Sequence, residues 1–269
     1  MEKLGNLGTS SSGYGEWMRP IAKSRAVPED GDLDGVARQA LNILARGRPR
    51  ASGPIDRRLF DQLMDVVIDP NDVRMEAVRA IMRARGVNDA AIADHYIPAL
   101  ARELGALWSA DQLSFQNVSL GSIHLTALLR QLDPSWCSPQ RKTPQLGGTI
   151  CIIVPQGVQH TLGASILAGQ LRRAGEVVRL GFDLPLQDIP AFVGPPDTSA
   201  ALISASSFEG LDFLGTVVRR IKQGNAWLPI LIGGNALDRD EDLCELTGAD
   251  FATTDWKTAL SLCSQRLVR

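Results

Sequence analysis

Long apolar runs are scarce in this chain of 269 residues. Its most apolar stretches, such as residues 151–154 and 228–232, fall far short of the roughly 20 residues that cross a bilayer as a helix. No membrane segment is therefore expected. Residues 1–14 are polar and glycine-rich, without a basic stretch leading into an apolar one, so no secretory signal is read there and a cytoplasmic location is expected. Charge of one sign is also lacking: 28 basic and 30 acidic side chains leave a net charge of −2. Such a chain has no bulk positive field to draw nucleic acid non-specifically, and any DNA contact must be local. Metal-ligand spacing is missing as well. Cys137, Cys151, Cys244 and Cys263 stand apart, with no C-x-x-C pair and no histidine partner, which argues against a zinc site or a disulfide framework. Only three histidines occur, none beside a nucleophile in a recognisable motif, so the expectation is that the protein is not an enzyme.

What is present divides the chain in two. Residues 1–32 mix glycine, serine, proline and charge with no apolar period, a composition that cannot offset its ordering entropy, and read as a flexible arm. A helical bundle is expected over 33–132. Its first helix, 33–45, ends at Arg46-Gly47-Arg48-Pro49-Arg50, which reads either as a solvated basic linker or as a weak AT-hook-like contact to a narrow minor groove. Ile55, Leu59, Phe60, Leu63, Val66 and Val67 then form an apolar stripe at helical spacing, and Val73, Ala77, Ala80, Ile81 and Ala84 a second that stops at Gly86. Asn88 can cap a third helix, with Ile92, Tyr96, Leu100, Leu104 and Leu107 inward and Pro98 bending it. Ser114 can cap a fourth, whose seam runs Phe115, Val118, Ser122, Leu125, Leu129 and Leu132. Short turns between such stripes predict an antiparallel bundle.

Residues 133–147, rich in proline and glycine, predict a linker. Over 148–269 the pattern becomes strand then helix, repeatedly. Strands are expected at 149–154, 177–180, 200–204, 228–232 and 251–253; helices at 162–174, 187–192, 211–223, 238–246 and from Trp256 onward. Strands apolar on both faces, each followed by a helix, predict an α/β domain with a five-stranded parallel sheet in flavodoxin-like (Rossmann-like) order. In such sheets ligands sit beyond the carboxyl ends of the strands, where strand order reverses, here beside the first strand. The loop there reads Val154-Pro155-Gln156-Gly157-Val158-Gln159-His160-Thr161-Leu162-Gly163. It has neither the glycines of a dinucleotide fingerprint nor the lysine of a phosphate cradle. It offers an imidazole, His160, at a helix entrance, and Gly163, where a bulky ligand could approach the backbone. Ser204-Ala205-Ser206-Ser207 follows the third strand and Gly233-Gly234 the fourth. Each alone reads as a helix cap or a turn; together with His160 they could line a slot.

These residues resemble the cobalamin-binding domain, whose usual pattern is D-x-H-x-x-G with S-x-L and GG. The resemblance implies that His160 is the lower ligand of cobalt, and that the cofactor's nucleotide tail enters a slot by Gly163, Ser204, Ser206, Gly233 and Gly234. It extends to the bundle, where Leu104-Gly105-Ala106-Leu107-Trp108 and Asp111-Gln112-Leu113-Ser114-Phe115 are similar to the helical cap over the corrin's upper face. Trp108 and His124 are implied cofactor contacts there, with His95 a further possible upper ligand. The runs 113–122, 159–164 and 167–173 resemble the AerR/PpaA regulators of purple photosynthetic bacteria, antirepressors of the CrtJ/PpsR repressor of photosystem genes. The implied cofactor is adenosyl- or hydroxocobalamin, the implied partner a CrtJ/PpsR-type repressor, and the implied input light or redox state. The alternatives are a corrinoid carrier subunit of a methyltransferase, or a diverged module binding haem or no cofactor. Two departures stand out. Val158 occupies the position of the usual acid, and Val118-Ser119 stands where MerR-linked light sensors carry the Glu-His of W-x9-E-H.

Overall fold

The computed structural model describes residues 55–69, 75–140, 143–206, 209–238 and 242–267. The arm, the helix expected at 33–45 and the basic run from Arg46 to Arg50 lie outside the described residues. Helix α1 (Arg57–Val67) starts at Asp56, whose carboxylate accepts from the backbone N–H groups of Arg58 and Leu59, and it buries Leu59, Phe60, Leu63, Met64 and Val67. Helix α2 (Met75–Ala84) ends as expected at Gly86, at φ +81°, where the N–H groups of Gly86 and Val87 close onto the carbonyls of Arg83 and Met82.

The buried face of α2 differs from the expected one. Met75, Val78 and Met82 are inside, while Ala77, Ala80, Ala84 and Ile81, which is 50% exposed, face outward. The cause is a buried carboxylate. Asp89 accepts from Arg79, Arg83 and the backbone N–H of Asp133, and this rotates α2 so that Arg79 and Met82 turn inward. Burial works to raise the Asp89 pKa, but hydrogen bonds from Arg79, Asp133 and Arg83 overcome it and hold the carboxyl below its ordinary value.

Asn88 does cap the next helix, accepting from the N–H of Ala91 at 2.8 Å. After one turn (Asp89–Ala91) the backbone widens into a π-helical turn (Ile92–Tyr96) and re-enters α-geometry as α3 (Ile97–Ser109). Pro98 therefore follows directly on the π turn within one continuous helical run, and the π turn stands where a bend at the proline was expected. Helix α4 (Phe115–Gln131) is capped by Ser114 and buries Gly121, Leu125, Leu128 and Leu129. Its expected seam holds at Leu125, Leu129 and Leu132 but not at its start: Phe115 is 67% exposed, and Ser122 is exposed.

Residues after Leu132 do more than link. A 3₁₀ turn (Pro134–Cys137) lays Trp136 so close over Gly169 that a Cβ there would overlap the indole. Asp94, re-aimed by the π turn, pairs with Arg173 and accepts from Gln170 at 3.3 Å. Ile166 joins the bundle's apolar cluster. The run 167–173, singled out in the sequence, thus docks bundle to sheet domain.

The sheet has five parallel strands in the order β2-β1-β3-β4-β5, the flavodoxin-like order expected. The strands are β1 (Thr149–Pro155), β2 (Val177–Leu184), β3 (Thr198–Ser204), β4 (Ile230–Gly233) and β5 (Phe251–Ala252). Every residue of β1 is buried. Ile150, Ile152 and Val154 pack on α5 (Leu162–Arg173) and α9 (Trp256–Leu267), whereas Cys151 and Ile153 pack with α6 (Ile189–Val193) and α7 (Leu211–Gly224). The helix expected at 238–246 is instead a 3₁₀ turn (Asn235–Asp238) and a short α8 (Leu243–Thr247). The Asp242 side chain caps α8 afresh, accepting from Cys244 and Glu245.

Candidate functional site

The loop between β1 and α5 leaves the sheet beside both neighbours of β1. Gly157, at φ +85°, turns the chain; its N–H donates to Asp183 Oδ1 at 3.0 Å, and Gln156 N–H donates to the Leu184 carbonyl at 3.0 Å. The loop is thereby tied to the end of β2. His160 follows, exposed, directly before a helix that begins without a side-chain cap. Desolvation by the surrounding protein lowers the His160 pKa, and the negative charge of Glu209 acts in the opposite direction.

Gly163 is the second residue of α5, without a positive φ, and a Cβ there would meet nothing within 4 Å. Among the described residues, no packing or dihedral demands glycine at this place. The open surface is what a large ligand approaching the helix would need.

The loops after β3 and β4 are laced together. Ser204 and Gly233 are register partners, and Ala205 N–H donates to the Gly233 carbonyl at 2.8 Å. Gly234 is held at φ +101°, with its Cβ direction blocked by the Ala205 carbonyl oxygen, so its glycine has a reason internal to the fold. At Gly233 a Cβ would stand 3.1 Å from the Thr253 carbonyl, also tight. Ser206 is buried, and it does not cap the next helix, whose N-cap is Gly210. Its hydroxyl donates to Glu209 Oε1 at 3.0 Å, and its N–H donates to Oε2 of the same carboxylate. Ser207 lies outside the described residues.

A cleft of about 580 Å³ opens between α4 and this edge, lined by Ser122, Ile123, Thr126, Ala127, Arg130 and, across from them, Gln159 beside His160. Ile123 is 64% exposed there. Ser122 was expected in the buried seam and lines the cleft instead; Ile123, Thr126, Ala127 and Arg130 were not foreseen, yet they stand at i, i+3, i+4 and i+7, a second stripe next to the seam. His124 is on a different flank: its Nδ1 lies 2.8 Å from the Val67 carbonyl of α1, and its neighbours along the helix, Gly121 and Leu128, are buried in the bundle. His95 is half-buried in the π turn. Trp108 is buried, its ring 5.9 Å from that of Phe115 and tilted by 54°, so Phe115 is the member of the pair that faces solvent. The structure thus gathers His160, Gly163, Ser204, Ser206, Gly233 and Gly234 at one sheet edge, and leaves Trp108 and His124 in the bundle. Glu209 belongs with the first group and was not foreseen; a carboxylate three residues after a serine in a strand-end loop was the available signal.

Among the described residues, no three or more His, Cys, Asp or Glu side chains come together in a way that could hold a bare metal ion. No described helix is long and apolar enough to cross a membrane.

No family model matches the chain. A protein of Rhodobacter capsulatus, described as an uncharacterized 20.5 kDa protein in the bchF-crtJ intergenic region, is 33% identical over 180 residues, which cover 66% of this chain and 93% of that protein. The chain belongs to this AerR/PpaA-like family. Among solved structures, the monomethylamine corrinoid protein of Methanosarcina barkeri superposes with a TM-score of 0.59 at 15% identity, over 78% of this chain and 99% of that one. The AerR/PpaA-like chain therefore shares the fold of a corrinoid protein, helical bundle and parallel sheet together.

Proposed function

We propose that this protein binds cobalamin between the bundle and the carboxyl edge of the sheet, and regulates photosynthesis genes as an antirepressor of a CrtJ/PpsR-type repressor. The observation that carries the reading is the His160 loop: an imidazole beside a cleft, followed three residues on by a glycine whose open side no described residue fills. His160 would hold the cobalt from below. Gly163, Ser204, Gly233 and Gly234 would flank the nucleotide tail, and Ile123, Thr126 and Arg130 the corrin from above. When bound, adenosyl- or hydroxocobalamin supplies a visible chromophore and an upper cobalt bond sensitive to light or redox state. The chain's own part is to hold bundle and sheet domain in two arrangements of different partner affinity, so that ligand state shifts their populations. Its loop lacks the acid and lysine of carrier subunits, and no independent catalytic constellation supports an enzyme. Any DNA contact would be local, through Arg46, Arg48 and Arg50. The relative encoded between bchF and crtJ supports the choice of partner.

Two measurements test this. Purified protein mixed with hydroxocobalamin should retain it through gel filtration with a shifted visible spectrum, and His160→Ala should lose that shift. Retention of an unaltered spectrum by His160→Ala sinks the ligand assignment. A pull-down against a CrtJ/PpsR-type repressor in light and dark should give different yields; equal yields with and without cobalamin would overturn the regulatory reading.

A further inference from the structure

Helix α5 stands between the two halves of the protein, and its faces belong to different cores. Ala164, Ala168 and Leu171 pack into a sheet cluster. Leu162, Ile166, Gly169, Gln170 and Arg173, spaced i, i+4, i+7, i+8 and i+11 along another face, meet the bundle. This stripe changes character over its length of roughly 16 Å. Near His160 it is apolar: Leu162 and Ile166 touch the bundle's cluster, through contacts that have no preferred direction. At the far end it is directional. The largely buried Arg173 donates to Asp94 in the π turn and, at 3.1 Å, to the Trp136 carbonyl; Gln170 donates to the same carboxylate, and Trp136 lies over Gly169. The chain also crosses from bundle to sheet domain at this end. Gln140 N–H donates to the Arg173 carbonyl at 2.9 Å, and Gln145 N–H donates at 2.8 Å to the buried carboxylate of Glu176, just past α5.

We propose that the Arg173 end of α5 is a hinge between bundle and sheet domain: the bundle turns about Asp94 and Trp136, and the gap opens at the opposite end, between α4 and the His160 loop. Bonds of fixed direction and the covalent connection coincide at one end, where little displacement is possible, while the contacts at the other end can slide or part. The cleft of about 580 Å³ lies at that other end, with Gln159 across from α4. The inference rests on the cobalamin reading for its purpose, since a mouth that widens admits a ligand as bulky as a corrin, but not for its geometry.

The test uses the full chain with pairs of spin labels, in a background of Cys137→Ser and Cys244→Ser that leaves the buried Cys151 and Cys263 in place. One pair spans the mouth, from Gln116→Cys at the start of α4 to Gln156→Cys in the His160 loop; the other spans the hinge, from Ser135→Cys to Val177→Cys, all four sites being exposed. Displacement grows with distance from a pivot, so without cofactor the distance distribution of the mouth pair should be roughly twofold broader than that of the hinge pair. Arg173→Ala removes the donor that Asp94 and the Trp136 carbonyl share, and should broaden the hinge pair toward the width of the mouth pair; Arg173→Lys should broaden it less. Equal widths at the two pairs, or a hinge pair unmoved by Arg173→Ala in folded protein, would overturn the proposal. Bound hydroxocobalamin should narrow the mouth pair alone, and an unchanged mouth on retained cofactor would count equally against the hinge. If no cobalamin is retained, the proposed function fails, while the widths measured without cofactor still decide the hinge.

Discussion

The sheet domain and the bundle each bury an apolar core, but by different rules. In β1, consecutive residues Ile150 to Val154 are all buried, alternating between two helical layers, so any slip of one residue would exchange the two sets. Neither face meets water, and a run of apolar residues suffices to place the strand. A bundle helix has one inward stripe, and several rotations can look equally good in its sequence. In α2 the choice is made by Asp89, which lies outside the helix and draws Arg79 and Arg83 toward it. The comparison teaches that strand placement in this protein is a property of the strand, whereas helix rotation is a property of the partner.

The largest expected effect lies in the sheet. Ile152→Ala should cost about 4 kcal/mol in urea unfolding, transfer plus cavity, since the side chain is fully buried in β1. Asp89→Ala should cost about 2 kcal/mol, because the half-buried Arg79 and the Asp133 N–H would lose the charged acceptor they share. A loss below about 0.5 kcal/mol would break the claim that this carboxylate orients α2. Its pH dependence sharpens the point. The folded pKa of Asp89 is depressed, so its contribution is present above the unfolded value of about 3.9 and is lost as pH falls through the folded value. The stability gap between the natural protein and Asp89→Ala should therefore close on acidification below pH ~4.

Gly169→Ala should cost about 1 kcal/mol at the docking surface: overpacking against Trp136 of about 2, less a helix-propensity gain of about 1. Faster proteolysis between bundle and sheet should accompany it, and an unchanged cleavage rate would show that the two regions do not depend on this contact. The smallest effect is expected at Ile81→Ser. An apolar-stripe reading makes Ile81 core, but at 50% exposure its replacement should stay within about 0.5 kcal/mol.

The positions of His160 and of the glycine pair were legible because strand ends in a parallel sheet are legible, and topology brings them to one edge. Legibility stopped where contacts cross the chain. Gly233-Gly234 reads as part of a slot, yet Gly234 is glycine because Ala205 crowds it. Ser206 reads as a ligand contact or a cap, yet it serves Glu209. His124 and Ile123 are adjacent in sequence, and only the packing of α4 sends one toward α1 and the other to the cleft. The helix expected across residues 238–246 failed for a local reason, the preference of Asp242 to cap a new start.

By itself, the sequence determined the fold class, the strand order and the edge on which a ligand would lie, because two-sided apolar strands and their short connections admit few arrangements. Only the tertiary structure decided which face of α2 is buried, how Trp136 and Asp94 fasten the bundle to the sheet, and which carboxylate the buried Ser206 holds. Those outcomes depend on groups far apart in the chain, whose desolvation and pairing energies exist only once the chain has folded.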